Sequence, residues 1–142
     1  MNLTPIDIVK FTSAFGMWMT TKSSSRKVVI GRDARPSGEM VENLVKGTLV
    51  GLGFEVLNLG LSTTPSVEMA VVEFEAAGGI VITASHNPRE WNALKLLNRK
   101  GEFVTNKAGN DIQEIAKNGY FNYASIDDVG KVTDVSGFVD VH

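Results

Sequence analysis

The sequence contains no cysteine, which excludes disulfides, thiolate metal sites and thiol catalysis. It has only two histidines, His86 and the terminal His142, so a metal site built from several histidines is excluded by number. Its apolar runs stay far below the ~18 residues that a membrane-spanning helix needs, and its N-terminus lacks the basic-then-apolar order of a signal peptide. These absences predict a cytoplasmic protein that does not enter the membrane.

A strong charge of either sign is also lacking. Fourteen Lys and Arg residues stand against sixteen Asp and Glu residues, for a formal net charge of -2, and no dense basic tract is present. Nucleic acid is therefore not an expected partner. The 142 residues, 43% of them hydrophobic, fit one globular domain with an ordinary core.

Helical and extended patterns alternate along the chain. Thr4 is placed to cap a first helix, and a short β-branched strand follows it. In order, the predicted elements are a helix at 4–20, a strand at 27–31, a helix from Ser37 stopped by Gly53, a strand at 54–60, a helix from Thr63 ended by 77–79, a strand at 80–83, a hairpin-like antiparallel edge at 93–98 and 102–104, and a helix at 106–117. This order predicts an α/β fold over residues 1–142: a three-layer α/β/α domain with a mostly parallel mixed sheet.

Apolar residues at helical spacing predict which helix faces are buried. The predicted inward residues are Met40, Leu44, Val45, Leu49 and Leu52 in the second helix, Val67, Ala70, Val71 and Phe74 in the third, and Ile112, Ile115 and Ala116 in the last. Residues 120–142 show poor periodicity and form a poorly defined tail, in which 137–141 is at most a weak strand.

The loop Thr83–Pro88 (TASHNP) follows the strand at 80–83, at the end where open α/β sheets bind ligands. Taken alone, a serine in such a turn is more often a solvated or capping hydroxyl than a nucleophile. Here Pro88 stiffens the turn and would hold the Ser85 hydroxyl out rigidly. A serine hydrolase is disfavoured, because the loop lacks Gly-x-Ser-x-Gly and the neighbours Ser85 and His86 rarely reach nucleophile-to-base geometry.

This loop resembles the phosphoserine loop of the α-D-phosphohexomutase superfamily, which comprises phosphoglucomutases, phosphomannomutases and phosphoglucosamine mutases. The segment Gly31–Ser37 (GRDARPS) resembles a second motif of that superfamily and lies upstream in the expected order. The resemblance implies an enzyme that interconverts a hexose 6-phosphate and a hexose 1-phosphate. Ser85 would carry the phosphoryl group, Mg²⁺ would bind Ser85 through its phosphate, and a hexose 1,6-bisphosphate would be the intermediate and activator.

The resemblance also implies roles for other residues. His86 would orient the loop or support the phosphoserine electrostatically, and Asn87 would contact phosphate or substrate. Arg32 and Arg35 are candidates to bind phosphate, for which a planar guanidinium is suited. Arg35 is the better candidate to face the phosphoserine loop, and Arg32 could have either this role or a structural one. Asp33 has a structural role as its favoured interpretation, through bonds to loop amides or to an arginine.

Lys95 lies in Asn92–Lys95 (NALK), which is similar to the family's Asn-Gly-x-Lys element. A lone lysine in a strand is usually a solvent-facing charge, and alternation places this one on the face opposite Leu94 and Leu96. The resemblance implies that Lys95 lies in the active site and assists proton transfer. Ala93 stands where the family has glycine, a departure that bears on the backbone there.

The family's enzymes are much longer, and their Asp-x-Asp-x-Asp metal loop has no match here. We therefore expect an N-terminal domain I fragment without its first strand, inactive alone, whose partners are the remaining domains and a phosphosugar. The uncovered sheet edge would favour association of two copies. Ala84, where several relatives carry glycine, favours the phosphoglucosamine mutase branch. The alternative is a non-catalytic α/β module that binds a small phosphorylated ligand or a protein partner.

Overall fold

The computed structural model describes residues 4–33, 37–83 and 94–137. Its elements are α1 (Pro5–Lys22), β1 (Lys27–Arg32), α2 (Ser37–Gly51), β2 (Glu55–Leu61), α3 (Thr64–Glu73), β3 (Gly78–Ile82), β4 (Leu94–Leu97), α4 (Asn106–Asn118) and β5 (Lys131–Asp134). They form one five-stranded sheet in the order β4, β3, β1, β2, β5. All neighbouring strands are parallel except β3 and β4, which pair antiparallel, as the sequence predicts for that edge.

Alternating side chains of each strand enter two separate cores. On one face, Val28 and Ile30 of β1 belong to a buried cluster that also contains residues of α1, α2 and α4. On the other face, Val29 packs in a second cluster with Val67 and Val71 of α3. A strand buried on both faces needs apolar residues in succession, which explains the β-branched run in β1. The predicted three-layer α/β/α arrangement is confirmed.

The helix ends follow the caps expected from the sequence. Thr4 and Asp7 form a capping box at the start of α1, with the Asp7 backbone N–H donating to the Thr4 hydroxyl and the Asp7 carboxylate accepting from the Thr4 backbone. The hydroxyls of Thr63 and Thr105 likewise accept a backbone N–H at the start of α3 and α4. The residues three positions on, Ser66 and Ala108, have no carboxylate to complete a capping box. Gly119 ends α4 in the left-handed conformation that glycine adopts without cost.

Two details of the sequence analysis are wrong. Met40 is 43% exposed, and its neighbour Val41 is the residue of that turn that enters the core. Gly78 and Gly79 do not end α3, which stops at Glu73; they begin β3. A Cβ at Gly78 would lie 2.6 Å from the Leu97 carbonyl oxygen, and one at Gly79 would lie 2.7 Å from a Val71 methyl. These glycines let β4 and α3 pack closely on β3.

The sequence analysis also misses β5. This strand pairs with β2 from Glu55 opposite Lys131 to Asn58 opposite Asp134, although three of its four residues are exposed. Its missing apolar alternation reflects its place at the sheet edge. The weak strand suggested at 137–141 falls almost wholly outside the described residues. Within the described ranges, none of the helices combines the length and apolar character needed to cross a bilayer.

Candidate functional site

The carboxyl ends of β1, β2 and β3 lie side by side. They form the side of the sheet at which these parallel strands end, called the carboxyl edge, which is distinct from the outer strands β4 and β5. Arg32, the last residue of β1, pairs in register with Ile82 of β3. Beyond this pair, the backbone N–H of Asp33 donates to the Ile82 carbonyl over 3.1 Å. On the other side, the N–H of Ser62 donates to the Arg32 carbonyl over 3.0 Å. The two sequence motifs, Gly31–Ser37 and Thr83–Pro88, therefore leave the sheet from adjacent strands.

Two helices begin at this same edge. In the chain, α2 starts at Ser37 after β1, and α3 starts at Thr64 after β2. The first turn of a helix carries unpaired N–H groups and a partial positive charge, which favours anions near it. The arrangement therefore provides a favourable electrostatic setting for a phosphate ester at the carboxyl edge.

Gly31 permits the close approach of β1 and the start of α3. A Cβ at this position would overlap the Ser62 hydroxyl oxygen and lie 2.6 Å from a methyl of Val67. Since both neighbours sit at the carboxyl edge, any side chain at Gly31 would push the loop after β2 away from Arg32. The glycine of the GRDARPS motif thus has a packing reason.

Arg32 directs its guanidinium to the α2 side of the sheet. Its Nε lies 3.5 Å from Oε1 of Glu42, and its Nη1 donates to the Asp33 carbonyl over 3.3 Å. The other carboxylate oxygen of Glu42 lies 3.4 Å from Nζ of Lys46, one turn further along α2. The sequence analysis missed Glu42 and Lys46. Their charges four residues apart are a typical helical pair, but nothing in the spacing shows that it meets Arg32.

Lys95 lies on the opposite face. It pairs with Val81, and residues opposite each other in an antiparallel pair project to the same side, which here is the side of α3. Leu94 and Leu96 pack against the first cluster instead, as the alternation predicts. Lys95 is exposed. Arg32 and Lys95 are therefore on different faces of the sheet, and a group that contacts both has to sit beyond the strand ends.

Several predicted site residues fall outside the described residues. These are Arg35 and the loop residues Ser85, His86 and Asn87, and the Ala93 departure from the family pattern lies there too. Thr83, the residue directly after β3, and Asp33 are described, and both take part in interactions. The structure therefore brings together the two ends from which the predicted site extends, Asp33 and Thr83.

The described residues do not themselves supply a metal centre. Among residues 4–33, 37–83 and 94–137, no three His, Asp or Glu side chains lie close enough together to hold a metal ion. The Glu42 carboxylate already forms ion pairs with the side chains of Arg32 and Lys46. Glu39 is exposed on α2.

The chain is similar to known proteins over most of its length. A family model described as phosphoglucomutase/phosphomannomutase, alpha/beta/alpha domain I, matches residues 1–123. A protein of Methanosphaera stadtmanae named "Probable phosphoglucosamine mutase" is 40% identical over 116 residues, which are 82% of this chain and 26% of that protein. A Thermococcus kodakarensis protein named phosphoglucomutase/phosphomannomutase is 35% identical over 132 residues, covering 92% of this chain and 29% of its own length.

The chain thus spans between a quarter and a third of the length of these relatives. Among solved structures, a phosphoglucomutase/phosphomannomutase family protein from Burkholderia thailandensis superposes with a TM-score of 0.77 and 21% identity, over 95% of this chain and 30% of that one. At that identity the likeness shows the fold alone. The family model and the sequence relatives carry the assignment: the chain belongs to the phosphoglucomutase/phosphomannomutase family, whose alpha/beta/alpha domain I it matches.

Proposed function

We propose that this chain is the phosphoserine domain of a longer phosphohexomutase, and that Ser85 is the residue that carries the phosphoryl group. The observation that carries the proposal is the hydrogen bond from the Asp33 N–H to the Ile82 carbonyl. It holds the strand that leads to Ser85 against the strand that ends in Arg32. Two helix N-termini at the same edge favour a dianionic ester there.

The transfer needs little covalent help from the protein. The bond between phosphorus and Ser85 Oγ breaks, and a bond forms between phosphorus and a hydroxyl oxygen of the hexose phosphate. The sugar hydroxyl gives up its proton, and Ser85 Oγ gains one. In this proposal Lys95 and His86 assist those proton movements, while Arg32, Arg35 and Asn87 bind phosphate or substrate oxygens. The bisphosphate formed then returns its other phosphoryl group to Ser85.

The phosphate on Ser85 would help to hold Mg²⁺, and this ion would supply neutralisation of negative charge for the transfer. Its other ligands would come from a further domain, since the chain spans only part of its relatives' length. The remaining domains of the enzyme are accordingly the main partners in the proposal. One relative is named for glucosamine and another for glucose and mannose. We propose glucosamine phosphate as the substrate, on the basis of Ala84.

Association of two copies through a sheet edge stays a part of the proposal. The edge strands are β4 and β5. Phe103 already forms an isolated bridge with Leu97 on the outer side of β4, so β5 is the more open edge. Lys131 is a charged residue on that edge, which makes strand addition less favourable, so two copies that pair through β5 would have to accommodate this charge.

The test is phosphoryl labelling of the longer parent protein. It is incubated with glucose 1,6-bisphosphate, digested, and the peptides are examined for a gain of one phosphoryl mass. We expect the gain on the peptide that contains Ser85 and none after Ser85→Ala. Label elsewhere, or none at all, would favour a non-catalytic module that binds a phosphorylated ligand. Ser24→Ala, which alters an exposed serine after α1, serves as the control and should label normally.

A further inference from the structure

Glu42 occupies a position where an apolar residue would be expected. Val41, its neighbour, and Val45, about one turn further along α2, are both in the core, and Glu42 itself is only 7% exposed. Of the side chains that the structure describes, it is the only charged one buried to this degree. Burying a carboxylate is costly unless it is paired, and an apolar residue of similar size often stabilises such a position as well or better. Stability alone therefore does not explain Glu42.

The carboxylate of Glu42 is held at both oxygens. Oε1 faces Arg32 at 3.5 Å, and Oε2 faces Lys46 at 3.4 Å. Lys46 is on the same helix, so it orients the carboxylate without linking it to another element. Arg32 is on β1, and its contact joins α2 to the strand end. Together, the side chains of Arg32, Glu42 and Lys46 carry a net charge of +1 near the end of β1.

The arginine depends on this contact. Its Nε is buried and has no aligned hydrogen bond, so the Glu42 charge is what compensates it. Nη1 donates to the Asp33 carbonyl. Two of the five donors of the guanidinium are thereby directed into the corner between α2 and β1, and the fixed fork geometry then sets the direction of the others.

The place where Arg32 is held is next to the strand that leads to Ser85. Arg32 and Ile82 are paired residues of adjacent parallel strands, which lie about 4.8 Å apart. Ser85 follows Ile82 by three residues. An arginine whose charge is balanced by a carboxylate and whose side-chain rotamer is fixed loses less conformational entropy when it binds a phosphate than a mobile arginine does.

We propose that Glu42 is a positioning residue, which fixes the guanidinium of Arg32 so that it binds the phosphoryl group on Ser85. This rests on the proposed function, because it takes Ser85 as the phosphorylated residue. Glu42 does not touch the substrate; it acts through Arg32. Lys46 supports this role, because it contacts the second carboxylate oxygen of Glu42.

The experiment uses this chain with phosphoserine installed at position 85 during translation. Phosphorus NMR follows the second ionisation of the phosphate, whose pKa is about 6 in phosphoserine. A guanidinium bound to the phosphate lowers this pKa, so Arg32→Gln should raise it, by about half a unit or more. Glu42→Gln should raise it nearly as much, because Arg32 is then no longer held.

The direction of the change separates positioning from simple charge. Removing a nearby negative charge, with no other effect, would lower the pKa of the phosphate. Glu39→Gln provides that comparison, since Glu39 is exposed in the first turn of the same helix. We expect a small fall or no change for Glu39→Gln and a rise for Glu42→Gln. A fall or no change for Glu42→Gln overturns the inference.

Glu42→Asp covers the case in which Glu42→Gln does not fold. It keeps the charge and withdraws the carboxylate by one methylene, so it should also raise the pKa of the phosphate; an unchanged pKa overturns the inference. If Arg32→Gln raises the pKa and neither Glu42 variant does, the inference fails while the role of Arg32 stands. If Arg32→Gln itself changes nothing, Arg32 does not bind the phosphate, and that part of the proposed function fails with it.

Discussion

The backbone N–H of Asp33 donates to the carbonyl of Ile82, and this one bond, 3.1 Å long, joins the ends of two strands that are distant in sequence. Asp33 belongs to the GRDARPS motif, and Ile82 is the last residue of the strand before the TASHNP loop. The two motifs that mark the family are therefore neighbours at one edge of the sheet.

Ser85→Ala in the longer parent enzyme should reduce isomerisation of hexose phosphates to the background rate. In the proposed function the Ser85 hydroxyl accepts and donates the phosphoryl group, and alanine offers no oxygen that could form the ester. The measurement is the rate of hexose 1-phosphate conversion, with the melting temperature as a check on folding. A variant that keeps more than a tenth of the rate would contradict the assignment.

Gly31→Ala should destabilise the chain by about 1–3 kcal/mol, the range for forcing an extra methyl group into a packed site. The added methyl would meet Ser62 and Val67. Urea unfolding measures the change. Gly47→Ala is the control, because Gly47 lies within α2 with nothing within 4 Å of an added Cβ. There the substitution should stabilise by up to ~1 kcal/mol through helix propensity. Equal effects at both glycines would refute the packing explanation.

Tyr123→Phe should destabilise the chain by about 1 kcal/mol, the typical net value of a hydrogen bond. The Tyr123 hydroxyl lies 2.9 Å from the hydroxyl of Ser13, which is fully buried on α1. The bond ties the segment after α4 to the first helix. Tyr120→Phe is the matched control, since Tyr120 is 86% exposed, and should change little. A double-mutant cycle with Ser13→Ala that shows no coupling would count against the bond.

The capping box at Thr4 should make the stability of α1 depend on pH. The hydrogen bond from the Thr4 backbone N–H, followed by that from its hydroxyl, lowers the pKa of Asp7 below its ordinary value. Because the folded-state pKa is lower than the unfolded one, this contribution is present above the unfolded pKa and is lost as pH falls through the folded pKa. Thr4→Ala should raise the pKa of Asp7, as carboxyl NMR can measure.

The same substitution should lower the melting temperature more at pH 7 than at pH 2. Thr105→Ala is the control, because Thr105 caps α4 through the Ala108 N–H without a carboxylate partner. Its effect should be about the same at the two pH values. A pH-independent effect of Thr4→Ala would show that the hydrogen bond between the Thr4 hydroxyl and the Asp7 carboxylate does not contribute.

Much of the fold follows from local patterns. Thr4 before Pro5 marks the start of α1, and the run Val28–Ile30 marks a strand buried on both faces, so the prediction of layers did not need tertiary information. The sequence predicts Gly78 and Gly79 as a helix end, although they begin β3, because glycine is favoured both at helix ends and where strands and helices pack closely. Their role depends on Leu97 and Val71, which are distant in sequence.

The sequence by itself determined the α/β alternation, the helix caps and the family, because these depend on neighbouring residues and on motifs that remain recognisable in isolation. Only the tertiary structure decided that Arg32 and Lys95 lie on opposite faces, that exposed β5 extends the sheet, and that Glu42 reaches Arg32. The physical reason is that strand register and helix docking bring together residues whose spacing in the chain carries no sign of the contact.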